Sequence, residues 1–178
     1  LWHKNTIDQA ATNVGTRWFV IPQYAPSGVP VWSAPAIDMK LGQLVIGTGE
    51  NYSAPASANS DSIMALSLKD GAVRWTKQFT ANDTWNVSCE TPLTANCPEN
   101  QGPDFDFGAA TILHTLPDGQ NLVLAGQKSG MVYALSAEDG SEAWRYRTGR
   151  GGKLGGIHWG MAIDPDKNRL FVPISDRN

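Results

Sequence analysis

The stretches "SIMALSLKDGAVRW" (62–75) and "MVYALSAEDGSEAW" (131–144) share one pattern. In each, an apolar strand leads into Ala-Leu-Ser, then two residues, Asp-Gly, three residues and a tryptophan. An Asp-Gly pair between two alternating apolar runs is a strong hairpin signal, because both residues tolerate the positive φ angles of tight turns. Each stretch therefore predicts a β-hairpin with its tryptophan, Trp75 or Trp144, on the second strand.

A pair of strand-like runs precedes each hairpin, and a third such pair stands near the end of the sequence. The pairs are "VWSAPAID" with "QLVIGTG", "FGAATIL" with "NLVLAGQ", and "HWGMAID" with "RLFVPIS". A pair and a hairpin together make a unit of four strands, which is typical of a β-propeller blade. We expect the first strands of three successive blades near residues 31–38, 106–113 and 158–164.

The predicted division of the chain follows this repeat. It consists of the end of a preceding blade with a connecting loop (1–30), a blade (31–80), a loop with two cysteines (81–103), a second blade (104–149) and the first half of a third (150–178). The run "TRWF" (16–19) is interpreted as the remnant of the earlier blade. Two and a half blades cannot close a ring and would leave unpaired strand edges. We therefore expect the chain to be a fragment of a larger propeller.

Composition excludes several other classes of protein. The chain of 178 residues is 41% hydrophobic and 17% charged, which is typical of a globular protein and not of a disordered one. Its net charge is -3 and it has no run of lysine or arginine, so nucleic acid is not an expected partner. No stretch approaches the ~20 apolar residues that a membrane helix needs.

The two cysteines lie in a segment rich in Pro, Asn and Thr, "NVSCETPLTANCPENQG" (86–102). Two thiols in one loop predict a disulfide between Cys89 and Cys97, formed in an oxidising compartment. Metal binding is the alternative, but the segment has neither a CxxC pair nor a histidine, so the sequence favours the disulfide.

Three motifs follow one another in an order that resembles a known family. "GTGENYS" (47–53), "DFDFG" (104–108) and "AGQKSG" (125–130) accompany the Ala-Leu-Ser-x-x-Asp-Gly-x-x-x-Trp repeat. The whole resembles the tryptophan-docking repeat of the quinoprotein dehydrogenases, and in particular their polyvinyl-alcohol-dehydrogenase-like branch. The resemblance implies an all-β fold that is part of an eight-bladed propeller of four-stranded antiparallel blades. It also implies two cofactors, pyrroloquinoline quinone (PQQ) and calcium.

The same resemblance implies roles for particular residues. Trp32 stands where the alcohol dehydrogenases of the family stack an indole ring on the quinone. Glu50 stands at a calcium-ligand position that usually carries asparagine, and Asn51 is the alternative ligand. Asp106 matches the catalytic base, which also lies near the calcium ion. Lys128 matches a cation beside the quinone oxygens, where positive charge stabilises the reduced form.

Several of these assignments have competitors in the sequence. Trp85-Asn86 also matches the Trp-Asp motif of the family, and under that alignment the base would be an uncharged asparagine. We prefer Asp106 because it directly precedes the strand, and we interpret Asp104 as a turn or strand-capping acid that points to a turn or to solvent. Trp159 is a further candidate for binding the cofactor, and His158 is interpreted as structural pocket lining.

Two functions follow as hypotheses. The first is an alcohol dehydrogenase that uses PQQ and calcium, acts on a small or polymeric alcohol in the periplasm or outside the cell, and passes electrons to an acceptor such as cytochrome c. Haem c would be present only outside this segment, since no CxxCH motif occurs here. The second is a non-catalytic propeller with the same repeat that serves as a scaffold for protein interactions. The remaining blades of the propeller are expected partners in either case.

Overall fold

The computed structural model describes residues 1–17, 19–92 and 96–176. It is built almost entirely from antiparallel strands, and one 3-10 helix (Val87–Glu90) is its helical element within the described residues. In chain order the strands are β1 (Thr12–Arg17), β2 (Ile21–Ala25), β3 (Ser27–Gly28), β4 (Ala36–Asp38), β5 (Gln43–Gly47), β6 (Asn51–Ser53), β7 (Ser62–Ser67), β8 (Val73–Gln78), β9 (Ile112–Thr115), β10 (Asn121–Gly126), β11 (Met131–Ser136), β12 (Glu142–Arg147), β13 (Ala162–Asp164) and β14 (Arg169–Phe171).

Two four-stranded sheets confirm the predicted blades. The first has the order β4-β5-β7-β8 and the second the order β9-β10-β11-β12, while β13 and β14 form a separate pair. The repeat extends to the pairing register, since Trp75 faces Ala65 in the first blade and Trp144 faces Ala134 in the second. A β-bulge follows that pair in both blades. The prediction of an all-β fold made from propeller blades is therefore confirmed.

The first strand of each blade begins later than predicted. The ladders start at Ala36, Ile112 and Ala162 instead of near residues 31, 106 and 158. In the second blade the reason is visible, because the backbone before β9 pairs elsewhere: the N–H of Phe107 donates to the carbonyl of Thr48 in the neighbouring blade (3.2 Å). The residues that the sequence assigned to these strand starts thus connect two blades.

Tryptophan side chains join successive units at a glycine. The indole N–H of Trp75 donates to the carbonyl of Ala137 in the next blade (3.1 Å), and a Cβ on Gly140 would lie 2.5 Å from the ring. Trp2 repeats this contact on the first blade, where its N–H donates to Leu68 (2.9 Å) and its ring covers Gly71 at the same 2.5 Å. Glycine is required at both turns, because any side chain would displace the tryptophan.

The core lies between the two complete blades. A cluster of buried apolar side chains joins Ile63 and Trp75 of the first blade to Phe107 and Leu135 of the second. The aromatic ring of Phe107 packs edge-on against Phe79, with ring centroids 5.3 Å apart. Burial of these surfaces is the main force that holds one blade against the next.

The residues before the first blade contain a separate hairpin. Strands β1 and β2 form a two-stranded hairpin. Thr16 and Arg17 of "TRWF" (16–19) lie in this hairpin and Trp18 is outside the described residues, so the interpretation of the run as a blade remnant stays a prediction. The contact that ties the N-terminal segment to the blade is made by Trp2. The domain boundaries given above stay predictions.

Cys89 and Cys97 form the predicted disulfide, which is thereby confirmed. It closes a loop between β8 and β9 that includes the 3-10 helix. Within the part of the chain that the structure describes, no helix combines the length and the apolar character that a membrane span requires.

Candidate active site

Three buried carboxylates meet at the junction of the two blades. Glu50 follows β5 of the first blade, whereas Asp104 and Asp106 precede β9 of the second. One oxygen of each carboxylate lies within 4.8 Å of an oxygen of the other two, and all three side chains are buried. Oxygen atoms in such a group are the ligands that hard cations such as calcium prefer.

Lys128 supplies the positive charge of the cluster. Its ammonium group forms ion pairs with Asp104 (3.0 Å) and with Asp106, and its side chain is only 3% exposed. The backbone N–H of Lys128 also donates to the carbonyl of Asp106 (3.0 Å), so the strand end is fixed beside the acids. The prediction placed Lys128 next to Asp106, and the structure has it there.

A glycine allows Asp106 to reach the first blade. One carboxylate oxygen of Asp106, Oδ1, accepts a hydrogen bond from the backbone N–H of Glu50 (2.9 Å). A Cβ on Gly49 would lie 2.3 Å from that same oxygen, so any larger residue would push the carboxylate away. The second glycine of the "GTGE" motif, Gly49, is therefore needed to let Asp106 reach the backbone of Glu50.

Burial and mutual repulsion separate the pKa values of the three acids. Burial, followed by the neighbouring Asp106 carboxylate, raises the pKa of Glu50 to about 10. The same two causes raise the pKa of Asp104 to about 7. Burial acts on Asp106 too, but the contact with Glu50 and the charge of Lys128 outweigh it and lower its pKa. At neutral pH Asp106 is thus ionised and Asp104 is partly ionised, whereas Glu50 is protonated when no cation is bound.

Asp104 lies at a turn, as the sequence interpretation allowed, but it does not face solvent. Its side chain is buried and paired with Lys128. The cause is local: φ of Asp104 is +60°, so the chain turns at this residue instead of running extended. The N–H groups of Asp104 and Phe105 both donate to the carboxylate of Asp83 (3.2 and 2.9 Å), which fixes the turn. Asp104 therefore belongs to the carboxylate cluster.

Two further acids near the cluster were missed. Asp83 and Asp61 are fully buried, and neither oxygen of Asp61 has a hydrogen-bond partner. Burial, followed by the charge of Asp83, raises the pKa of Asp61 to about 9. In the sequence both are single acids in polar segments, "NSDSI" and "ANDTW", and nothing distinguishes them from exposed turn residues.

Asp61 predicts a specific pH dependence of stability. In the unfolded chain its carboxyl group ionises near 3.8, whereas in the folded protein it keeps its proton up to about pH 9. Between these values the folded protein binds more protons, so the free energy of unfolding falls as pH rises. We expect Asp61→Asn to flatten this slope, which is about 1.4 kcal/mol per pH unit between the two pKa values, and so to stabilise the protein at pH 8 relative to pH 5. Urea unfolding at pH 5 and pH 8 measures the effect, with the exposed Asp118→Asn as control. An unchanged slope in Asp61→Asn would contradict it.

An open cavity of about 590 Å³ lies over the cluster. Glu50, Trp32, Tyr52 and Trp85 line it, together with residues of β2 and of the disulfide loop. Trp32 is 45% exposed, and the Lys128 ammonium lies 4.7 Å from the centroid of its ring. The indole that the sequence predicted to stack on a cofactor therefore faces this cavity and lies beside the cluster.

The remaining candidates lie in other environments. The amide of Asn51 is bonded on both sides, accepting from the N–H of Ser57 (2.7 Å) and donating to the carbonyl of Ser27 (3.1 Å). His158 contacts the edge of Trp32, with centroids 5.6 Å apart, and Trp159 is 74% exposed beside it. Neither is among the residues that line the cavity. Their roles, like those of the cluster, stay predictions.

The competing motif Trp85-Asn86 has a structural explanation. The side-chain oxygen of Asn86 accepts from the N–H of Ser88 (3.0 Å) and caps the 3-10 helix. Its amide nitrogen donates to the carbonyls of Tyr52 (2.9 Å) and Asn96 (2.8 Å). Asn86 thus links the disulfide loop to the first blade, and both polar atoms of its side chain are engaged in these hydrogen bonds.

Comparisons with known proteins agree with this fold. No family model matches the chain. The chain is 43% identical over 154 residues to a polyvinyl alcohol dehydrogenase of Pseudomonas sp., a match that covers 86% of this chain and 24% of that protein. It is 37% identical over 179 residues to a polyvinyl alcohol dehydrogenase of Sphingopyxis sp. (strain 113P3), with 99% and 27% covered. The chain thus spans about a quarter of the length of these relatives.

Solved structures with the same fold are dehydrogenases as well. A quinohemoprotein alcohol dehydrogenase from Comamonas testosteroni superimposes with a TM-score of 0.61 at 18% identity, over 83% of this chain and 26% of that one. A europium-containing methanol dehydrogenase superimposes with a TM-score of 0.64 at 16% identity, over 83% and 30%. Fold and sequence together confirm the predicted family, that of the PQQ alcohol dehydrogenase-like propellers. Within it, the relatives found by sequence are polyvinyl alcohol dehydrogenases.

Proposed function

We propose that this chain contributes the cation site and part of the cofactor site of a PQQ- and calcium-dependent dehydrogenase that oxidises alcohols. The observation that carries the proposal is the buried group of Glu50, Asp104 and Asp106 around Lys128, of which Glu50 lines an open cavity. Without a cation the cluster avoids excess negative charge because Glu50 keeps its proton. All three carboxylates can be ionised together only if a cation adds its positive charge to that of Lys128.

The donor set fits calcium. One oxygen of Glu50, Oε2, is buried and has no hydrogen-bond partner, so it is available to a metal ion. Glu50 and Asp106 are the ligands predicted from the sequence, and the position of Asp104 adds a third. Because a cation favours ionised carboxylates, its binding would release the proton that Glu50 otherwise holds.

The cavity also fits a planar cofactor. Trp32 offers a partly exposed indole face beside Lys128, and aromatic surfaces of this kind bind flat ring systems. When bound, PQQ together with calcium would accept a hydride from the carbinol carbon of the alcohol. Lys128 and Trp32 would hold the PQQ, and Trp159 of the neighbouring blade is a further candidate for binding it.

The residues of the chain have distinct tasks in this proposal. Asp106 is kept ionised by Lys128 and accepts the proton of the alcohol hydroxyl group. Lys128 orients Asp106 and stabilises negative charge that develops beside it. The buried surroundings exclude water, which strengthens each of these electrostatic interactions. The substrate would be a secondary or polymeric alcohol, as the names of the relatives suggest, with a cytochrome as electron acceptor.

The wider setting follows from the same proposal. The disulfide supports a periplasmic or secreted location, because disulfides persist in oxidising compartments. The remaining propeller blades would complete the cavity. A non-catalytic scaffold is the second candidate, but a scaffold gains nothing from three buried carboxylates that share a single ammonium group, because burying such groups lowers stability.

Calcium titration of the protein tests the proposal directly. In calorimetry we expect calcium to bind with release of protons, and PQQ to change its absorbance only when calcium is present. Glu50→Gln should weaken calcium binding by at least about tenfold, the lower bound for the loss of a supporting residue. The exposed acid Glu90 provides the matched control, Glu90→Gln. If calcium binds neither tightly nor with proton release, and PQQ does not respond, the scaffold function is favoured instead.

A further inference from the structure

Asp83 is a buried acid that takes no part in the chemistry proposed above. It follows β8 and stands near the start of the loop that carries the disulfide. Its side chain is fully buried, although it belongs to none of the strands. A buried carboxylate is costly unless hydrogen-bond donors surround it. The partners of Asp83 therefore indicate what it does.

The side chain of Asp83 holds the segment that carries Asp104 and Asp106. Its Oδ1 accepts from the N–H of Asp104 (3.2 Å), and its Oδ2 accepts from the N–H of Phe105 (2.9 Å). The φ angle of Asp104 is +60°, a conformation that residues other than glycine adopt only at a cost. Two hydrogen bonds at adjacent residues offset this cost and fix the turn from which both carboxylates project.

The backbone around Asp83 holds the segment that carries Glu50. The carbonyl of Asp83 accepts from the N–H of Asn51 (3.1 Å), the residue after Glu50. Thr84 continues this contact as a parallel bridge with Asn51, and the N–H of Trp85 donates to the carbonyl of Asn51 (2.8 Å). One short segment of the loop is thus bonded to both parts of the chain that supply the carboxylate cluster.

A glycine allows Asp83 to lie against the returning end of the loop. A Cβ on Gly102 would lie 2.2 Å from Oδ1 of Asp83 and 2.5 Å from its Cα. The N–H of Gly102 donates to the carbonyl of Thr84 (3.0 Å). The two ends of the disulfide loop therefore meet at Asp83, beside the cluster.

We propose that Asp83 is a positioning residue for the cation: it holds the two acids of residues 104–106 against Glu50, so that one ion can bind all three carboxylates. The inference rests on the proposed function and adds to it a residue that acts through the ligands. Both oxygens of Asp83 accept from backbone N–H groups, so it serves the ligands and is not one of them. Partners of this kind set the orientation of the groups that bind a metal ion.

A purely electrostatic role is the alternative, in which the charge of Asp83 attracts the cation through space. The two roles differ in what happens to the ligands when Asp83 is altered. If position is lost, Asp104 leaves the ion and a water molecule takes its place, because calcium-type sites accept water among their oxygen ligands. If only charge is lost, affinity falls while the ligands stay the same.

The first test measures calcium affinity by calorimetry in the natural gene product that contains this chain. Asparagine in Asp83→Asn keeps the shape but offers one acceptor oxygen instead of two, so one N–H group loses its partner. Calcium binding should weaken by about tenfold, as for other residues that orient metal ligands. Gly102→Ala keeps the charge of Asp83 but displaces its carboxylate, and it should weaken binding as well. Asp61→Asn is the matched control and should leave the affinity unchanged, since Asp61 is equally buried but its oxygens hold no backbone group.

Terbium luminescence distinguishes position from charge. Tb³⁺ is a hard cation that takes the same oxygen ligands as calcium, and its lifetimes in H₂O and D₂O count the water molecules bound to it. In Asp83→Asn the bound ion should gain about one water molecule in place of the lost carboxylate oxygen. Asp104→Asn should not add to this effect, because both residues act through the same ligand. Weaker binding with an unchanged water count, or losses of affinity that simply add, would overturn the inference.

Two further outcomes separate the inference from the proposed function. Calcium binding that depends on Asp83, without any response of PQQ, would support the positioning role and refute the dehydrogenase. An absence of cation binding in the unaltered protein would overturn both. In the calcium-free protein, hydrogen exchange of residues 103–107 should be faster in Asp83→Asn, while that of β5 stays the same. Equal exchange in the two proteins, or an equal loss of affinity in Asp61→Asn, would overturn the positioning role alone.

Discussion

Asp106→Asn should lower the turnover of alcohol by about 10²–10⁴-fold at saturating calcium and PQQ, the range expected when a general base is lost. Asparagine has nearly the same shape and can still accept the hydrogen bond from the N–H of Glu50. It cannot accept the hydroxyl proton, and it removes the charge that Lys128 compensates for. The fold should survive, so circular dichroism and the disulfide should be unchanged. Steady-state kinetics with 2-butanol measures the effect.

Asp104→Asn is the matched partner of that variant, since both acids pair with the same ammonium group. We expect it to raise the calcium concentration needed for activity and to leave the rate at saturating calcium within a few-fold. The reverse pattern would assign the proton transfer to Asp104. Its pKa of about 7 would suit a base at neutral pH. If both variants keep the full rate, the base lies outside this cluster.

Lys128→Met should destabilise the calcium-free protein by about 3–5 kcal/mol, the usual cost of removing one partner from a buried ion pair. Methionine fills a similar volume, so the loss measures the charge and not a cavity. The remaining carboxylates would then lack any positive neighbour, and the penalty should shrink when calcium is added. Urea unfolding with and without calcium measures both quantities.

A second lysine provides the control for that variant. Lys153 pairs with Glu90, but the two side chains are 46% and 47% exposed. Exposed pairs contribute only about 0–1 kcal/mol, so Lys153→Met should change stability little and should not respond to calcium. Similar losses in both variants would mean that Lys128 acts through packing instead of charge. That outcome would remove the electrostatic argument for the cation site.

The blades were predictable because their signals are local. Asp-Gly turns and alternating apolar runs fix each hairpin from within a dozen residues, and Trp75 and Trp144 occur at the same place in both. The starts of the first strands were not predictable in this way. Residues before Ile112 have the composition of a strand, yet their hydrogen bonds go to the neighbouring blade. Only the position of that blade decides the pairing.

The site was predictable in part, for the same reason. Glu50, Asp106 and Lys128 stand in motifs, and the structure brings them together. Asp104 was correctly placed at a turn, where its φ is +60°, but its pairing with Lys128 was missed, because that contact depends on the end of β10. Asp61 and Asp83 carry no motif at all. Their burial depends on contacts between distant segments, which no local pattern encodes.

The contact of Trp75 with Gly140 is repeated by Trp2 and Gly71. This repetition suggests how such a protein could have evolved by duplication of blades. The tryptophan projects from one edge of a blade, and the glycine that receives it lies in the turn of the adjoining unit. A duplicated blade would therefore arrive with both halves of an interface that already fits its parent. The catalytic candidates lie at the seam between two copies, with Glu50 after β5 in one and Lys128 after β10 in the other. Corresponding positions in two identical blades could thus diverge into a carboxylate, Glu50, and an ammonium group, Lys128, while the tryptophan–glycine interface between the blades stayed the same.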